Sequence, residues 1–135
     1  MILGIGSDIV EINRIKKIYE KFGINFLKKI YTNKEIFDIQ SNSCKSFSRM
    51  ANRFAAKEAF YKCLQINSKI QIPGWKDAEV IIGNKGKPYL SISGIAKKVC
   101  QKMVPTNNSY KIHLSLSDEH EYALAFVILE LKKNI

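Results

Sequence analysis

The chain has 135 residues, 46% of them hydrophobic and 25% charged, which fits one soluble domain, residues 1–135, whose core needs no disulfides. Its three cysteines form no C-x-x-C pair, so we do not expect a disulfide-rich protein. Its apolar runs are too short to span a membrane, and Asp8 interrupts the apolar N-terminal run as no signal peptide would. We therefore expect a cytoplasmic protein. The formal charge of +10 favours an acidic or polyanionic partner, such as nucleic acid, phosphates or an acidic protein, or else reflects a lysine-rich surface without a partner.

The first predicted element is a strand over residues 2–10. Its alternation places Gly4, Gly6 and Asp8 on one face, and two glycines ahead of an acid leave space above the backbone there. Asp8 is therefore a candidate ligand of a metal ion, or alternatively the N-cap of the helix predicted over residues 11–22.

The predicted helix 11–22 has an apolar stripe and, on another face, a row of basic side chains at spacings of three and four. These are Arg14, Lys17 and Lys21. Thr32 and Glu35 have the spacing of a capping box and predict a short helix through Ile39. Residues 41–48 have the composition of a polar loop.

The strongest helical pattern covers residues 49–65. On a helical wheel, Glu58 lies beside Ala51, Ala55 and Lys62, while larger apolar residues cover much of the remaining surface. A carboxylate on a largely buried helix is costly unless it is paired or bound to a metal. Glu58 is therefore either half of an exposed ion pair with Lys62 or a metal ligand beside small side chains that leave room for a substrate.

The rest of the chain predicts strands and one helix in the order strand 78–82, strand 89–92, helix 94–103, strand 111–117 and strand 122–131. This gives an α+β fold with an antiparallel sheet packed against helices. The turn Gly86-Lys87-Pro88 is either a simple strand connection or a bend that holds a lysine beside a phosphate. His113, Asp118 and His120 match no standard zinc spacing.

Three segments in order resemble the holo-acyl-carrier-protein synthase family, the small phosphopantetheinyl transferases. They are residues 4–14 (GIGSDIVEINR), 53–62 (RFAAKEAFYK) and 113–123 (HLSLSDEHEYA), with the Gly-Lys-Pro turn between the last two. The resemblance runs from residue 2 to about residue 131. It implies that the chain transfers the 4′-phosphopantetheine arm of coenzyme A to a serine of an apo acyl carrier protein, in fatty acid biosynthesis, and releases adenosine 3′,5′-bisphosphate.

The resemblance also implies roles for individual residues. Asp8 and Glu58 would bind Mg²⁺, and Lys62 would stabilise charge on the phosphates. The coenzyme A site would comprise Lys57, Lys62, Gly86, Lys87, Pro88, Ser117 and Asp118. Many members of the family have histidine at the position of Asp118, and an ionised aspartate cannot donate a hydrogen bond to a phosphate.

Partners follow from the same resemblance. An acidic carrier protein would dock on Arg14, Lys17, Lys21 and Arg53, with an apolar centre from Ile18, Phe22 and Phe54. The chain would form a homotrimer, with Asp8 and Glu58 from one subunit and the Ser117-Asp118 region from its neighbour. Two rival interpretations are a catalytically silent carrier-protein binder of this fold and a basic nucleic-acid-binding module; we expect no contact with nucleic acid or a membrane.

Overall fold

The computed structural model of the chain describes residues 1–65 and 72–134. Within these two ranges, five strands and five helices follow one another as β1 (Ile2–Glu11), α1 (Ile12–Phe22), α2 (Ile24–Ile30), α3 (Asn33–Gln40), α4 (Ser46–Cys63), β2 (Ala78–Ile82), β3 (Pro88–Ile92), α5 (Gly94–Met103), β4 (Ser109–Glu119) and β5 (Tyr122–Lys132). Single turns of 3₁₀ helix cover Ser43–Lys45 and Trp75–Asp77. The predicted single domain includes residues 66–71 and 135, which lie outside the described residues, and it stays a prediction.

The main sheet is antiparallel and has the order β1-β5-β4, while β2 and β3 form a separate hairpin. Along β5, every second side chain is buried, because Ala123, Ala125, Val127 and Leu129 point towards helix α4. Helix α4 crosses this face of the sheet and is itself largely buried. The predicted α+β class with an antiparallel sheet against helices is confirmed.

The two glycines of β1 allow α4 to lie directly on the strand. A Cβ added to Gly4 would be 2.2 Å from the carbonyl oxygen of Cys63, and one added to Gly6 would be 1.8 Å from that of Ala59. The expected open space above these glycines is therefore filled by helix backbone, and only glycine permits so close an approach. This contact fixes the distance between β1 and α4.

Three of the differences from the predicted elements concern the neighbourhood of Asp8 and α4. Helix α4 begins at Ser46 and ends at Cys63, so residues 46–48, predicted as part of a polar loop, form its first turn. Helix α2 was not predicted. Only Gly23, with φ 59°, separates it from α1, so the sequence has no longer loop that would indicate the start of a new helix. Strand β1 runs on to Glu11, which occupies the N-cap position of α1, so the N-cap interpretation of Asp8 is wrong.

Candidate active site

Asp8 and Lys62 meet where β1 and α4 touch. The ammonium of Lys62 donates to the carbonyl oxygen of Ser7 at 2.8 Å and to Oδ1 of Asp8 at 3.2 Å. The side chain of Asp8 is 17% exposed and that of Lys62 is 54% exposed, so the aspartate is largely buried and the lysine is largely accessible to solvent. The ion pair expected between Lys62 and Glu58 is thus replaced by one with Asp8.

Glu58 lies within electrostatic range of this pair. Burial, first, and the negative charge of Asp8, second, raise the pKa of the Glu58 carboxyl, while Lys62 and Arg14 oppose the rise. Two carboxylates that repel each other at one partly buried place would be stabilised together by a cation. The glycine contacts bring this pair together, because they seat α4 on β1 beside Asp8.

The carboxylates of Asp8 and Glu58 lie close enough to influence each other's charge. Over the described residues, no group of three or more His, Cys, Asp or Glu side chains could hold a metal ion. Magnesium is usually bound through one or two carboxylates, with water and substrate phosphates as its other ligands. The two carboxylates of Asp8 and Glu58 match that pattern of ligands.

Four other predicted coenzyme A residues, Lys87, Pro88, Ser117 and Asp118, line two separate cavities. One, of about 410 Å³, is lined by Ser117, Asp118 and Tyr122, among others, at the end of β4. A second, of about 390 Å³, lies between the hairpin turn and β4, with Lys85, Lys87, Pro88 and Lys111 in its lining. Gly86 occupies that turn with φ 75°. Asp8, Glu58 and Lys62 lie outside both cavities, so the chain brings together only part of the predicted site.

Two predicted contact residues are buried, and their assignments are wrong in this structure. Lys57 is fully buried, and its ammonium donates to Glu35 Oε1 and to the carbonyl oxygens of Trp75 and Ala78, which uses all its N–H groups. It has no donor left for a phosphate. Arg53 is 4% exposed and lies 3.9 Å from Asp38, so it cannot present its charge to a carrier protein.

The basic row of helix α1 is exposed, as a docking surface requires. Arg14, Lys17 and Lys21 all face solvent. Beside them is an apolar cavity of about 370 Å³, lined by Ile18, Phe22, Asn25, Phe26, Lys29, Ile30 and Trp75. Sequence reasoning identified Ile18 and Phe22 here but missed the residues from α2 and Trp75, since α2 itself was not predicted.

The face of the sheet opposite α4 carries exposed apolar side chains. Ile5, Ile9, Tyr122 and Phe126 are 59%, 63%, 48% and 46% exposed. They belong to the adjacent strands β1 and β5, which pair directly with each other. An exposed apolar patch across a sheet is typical of a protein–protein interface.

A family profile, related sequences and solved structures all relate this chain to the same family of enzymes. A profile of the 4′-phosphopantetheinyl transferase superfamily matches residues 4–127. The holo-[acyl-carrier-protein] synthase of Halothermothrix orenii is 44% identical over 134 residues, which cover 96% of this chain and 98% of that protein. The crystal structure of holo-[acyl-carrier-protein] synthase from Neisseria meningitidis has a TM-score of 0.80 at 34% identity and covers 96% of this chain and 99% of its own. The Bacillus anthracis holo-(acyl-carrier-protein) synthase, solved in complex with CoA (3′,5′-ADP), has a TM-score of 0.73 at 34% identity. The match covers 96% of this chain and 97% of that one.

Proposed function

The chain belongs to the 4′-phosphopantetheinyl transferase superfamily, and we propose that it is a holo-[acyl-carrier-protein] synthase. It transfers 4′-phosphopantetheine from coenzyme A to a serine of apo acyl carrier protein and releases adenosine 3′,5′-bisphosphate, within cytoplasmic fatty acid biosynthesis. The observation that carries this proposal is the meeting of Asp8, Glu58 and Lys62 where β1 touches α4, in a chain related over nearly its whole length to such synthases.

Each residue at this place has a part in the reaction. Asp8 and Glu58 would hold a Mg²⁺ ion, which would supply charge neutralisation for the diphosphate of coenzyme A. Lys62, whose side chain is largely exposed, turns its ammonium to the same phosphates and stabilises the charge that develops on the departing bisphosphate. The serine oxygen forms a bond to the phosphorus as the bond from phosphorus to the bisphosphate oxygen breaks. The proton of the serine hydroxyl passes to a base beside it, either the Glu58 carboxylate or a water molecule.

The remaining coenzyme A residues act in a homotrimer. Ser117 and Asp118 lie in a cavity apart from Asp8, and we place them in the active site that a neighbouring subunit completes. The turn at Gly86, Lys87 and Pro88 supplies a basic contact to coenzyme A. The exposed apolar face of the main sheet, opposite α4, supports this assembly, because burying it removes large apolar side chains from water.

The acidic carrier protein docks on α1. Lys17 and Lys21 attract it, and the adjacent cavity between α1 and α2 accepts an apolar side chain of the carrier. Reversing both charges, as Lys17→Glu with Lys21→Glu, is expected to raise the KM for carrier protein at least tenfold at low salt, with the KM for coenzyme A unchanged. The control reverses two exposed lysines of α5, Lys97 and Lys98. An equal effect from the control would show that only net charge matters.

The reaction is tested by intact mass spectrometry of apo acyl carrier protein incubated with this protein, coenzyme A and Mg²⁺. We expect a mass gain of about 340 Da, the size of the phosphopantetheine arm, that is lost when a chelator is added. Asp8→Ala and Glu58→Ala are each expected to abolish the gain while leaving the protein folded. A folded wild-type protein that modifies none of several carrier proteins would instead support a silent carrier-protein binder.

A further inference from the structure

Lys57 is the centre of a buried polar network on the side of α4 that faces away from the main sheet. Its ammonium donates to Oε1 of Glu35 at 2.7 Å, to the carbonyl oxygen of Trp75 at 3.0 Å and to that of Ala78 at 2.6 Å. The side chains of Lys57 and Glu35 are both 0% exposed. A single lysine therefore ties α4 to α3, to the turn at Trp75 and to the first residue of β2.

Glu35 extends the network on the other side. Its Oε1 also accepts from the backbone N–H of Thr32 at 3.0 Å, and its Oε2 accepts from the backbone N–H of Val80 at 3.1 Å. The two carboxylate oxygens thus accept three N–H groups from three different parts of the chain. Every donor and acceptor is directional, so the network restrains orientation as well as distance.

A buried ion pair is a poor source of stability. Burial is the main influence on the pKa of Lys57 and lowers it, which shows that the charged form is costly here, although Glu35 opposes the shift. Replacing such a pair by apolar side chains of similar volume is often neutral or stabilising. The apolar core around α4 would fill the same space without charges, so stability alone does not account for the pair.

The position of Lys57 in α4 points to another role. On the helix, Lys57 lies nearly opposite Ala59, whose carbonyl oxygen faces Gly6, and it directly precedes Glu58. The glycine contact and the bonds from Lys62 to Ser7 and Asp8 hold only the side of α4 that faces the sheet. A rotation of about 10° moves a side-chain end at a radius of 5–6 Å by roughly 1 Å. The network opposes that rotation from the far side.

We propose that Glu35 and Lys57 are positioning residues that fix the rotation of α4 and so hold the Glu58 carboxylate beside Asp8. The proposal rests on the proposed function, since it concerns the carboxylates that bind Mg²⁺. It predicts that loss of the network weakens magnesium binding and slows transfer, because a misplacement of 1 Å at a reacting centre can cost about a hundredfold in rate. Carrier docking on α1 is not affected.

The test replaces the pair by apolar side chains, as Glu35→Leu with Lys57→Met. We expect a Tm within a few degrees of the wild type, kcat reduced about tenfold to a hundredfold, and Mg²⁺ affinity, measured by calorimetry without coenzyme A, about tenfold weaker. The KM for carrier protein should stay within about twofold. A folded double variant with wild-type kcat and wild-type Mg²⁺ affinity would overturn the proposal.

Two further variants keep the test decisive. Val99→Ala shortens a buried side chain of α5 and is the control for a general loss of stability, with unchanged Mg²⁺ affinity expected. Glu35→Gln with Lys57→Gln keeps polar groups at both positions and should recover part of the lost kcat and Mg²⁺ affinity. If the apolar variant does not fold, this amide variant is the deciding test. A folded amide variant that is inactive but has normal Mg²⁺ affinity would refute the proposal. Failure of the wild type to transfer the arm would contradict the proposed function and leave the calorimetric comparison as the measure of positioning.

Discussion

Gly6→Ala is a minimal change that should separate Asp8 from Glu58, the two halves of the proposed metal site. The new methyl carbon would lie 1.8 Å from the carbonyl oxygen of Ala59, 2.9 Å from its carbonyl carbon and 3.2 Å from Sγ of Cys63. The first two atoms belong to the backbone of α4, so no side-chain rotation can relieve the overlap. The helix must move away from β1 by more than about 1 Å to restore a normal van der Waals contact.

This displacement has two consequences of different size. Forcing one extra carbon into a packed core costs about 1–3 kcal/mol of stability, which a domain of this size tolerates. The same movement carries Glu58 away from Asp8, and a misplacement of about 1 Å can lower the rate a hundredfold. We therefore expect a folded protein with a reduced Tm and with kcat lower by roughly two orders of magnitude.

The assay measures the initial rate of carrier-protein modification at saturating coenzyme A, with thermal unfolding recorded on the same samples. Gly74→Ala is the matched control, because its added carbon would meet Asp77 Oδ1 at 3.8 Å, an ordinary contact, and the backbone φ of Gly74 is −80°. The control should retain the wild-type rate. A Gly6→Ala variant that folds and keeps its wild-type kcat would refute the view that this glycine sets the distance between Asp8 and Glu58.

Three further results are expected. Gly94→Ala should lower the free energy of unfolding by more than about 1 kcal/mol in urea titrations, because Gly94 has φ 55° and an added carbon would lie 2.8 Å from Asp77 Oδ1; unchanged stability would contradict this. The pKa of Glu58 lies above its ordinary value of 4.5, and only the ionised carboxylate binds a metal ion. The Mg²⁺ affinity measured by calorimetry should therefore fall as the pH drops through that raised pKa. Full affinity at a pH near 4.5 would count against Glu58 as a ligand. Phe126→Asp should give a smaller species than the wild type by light scattering without loss of helical circular dichroism, whereas a wild type that is already monomeric would exclude the trimer.

Local patterns predicted much of this structure because short-range rules govern them. The alternation of β1 put Gly4, Gly6 and Asp8 on one face, and the structure turns that face to α4. The capping box is present with both of its bonds, from the N–H of Glu35 to Thr32 Oγ1 at 3.2 Å and from the N–H of Thr32 to Glu35 Oε1 at 3.0 Å. Both signals depend on neighbours within a few residues.

The buried charges could not be predicted in this way. Lys57 and Glu35 are 22 positions apart, and the resemblance to the synthase family implied that the lysine contacts coenzyme A. The capping box accounts for Glu35 through its neighbour Thr32 alone, whereas its second partner, Lys57, belongs to another helix. Arg53 was likewise assigned to the surface, although its side chain packs between helices near Asp38. Each error concerns a pairing between distant parts of the chain, which a single sequence does not encode in its periodicity.

The register of β1 joins catalysis to assembly. Asp8 pairs with Ala125 and points towards α4, whereas the next residue, Ile9, pairs with Leu124 and points to the exposed face of the sheet. Because side chains alternate, a slip of one residue would turn the aspartate out of the metal site and an isoleucine into it. Gly6 prevents this slip, since only a residue without a side chain fits against Ala59 at that position. One glycine contact therefore sets both the direction of the Asp8 carboxylate, which we propose to bind the metal ion, and the apolar face that a neighbouring subunit would cover.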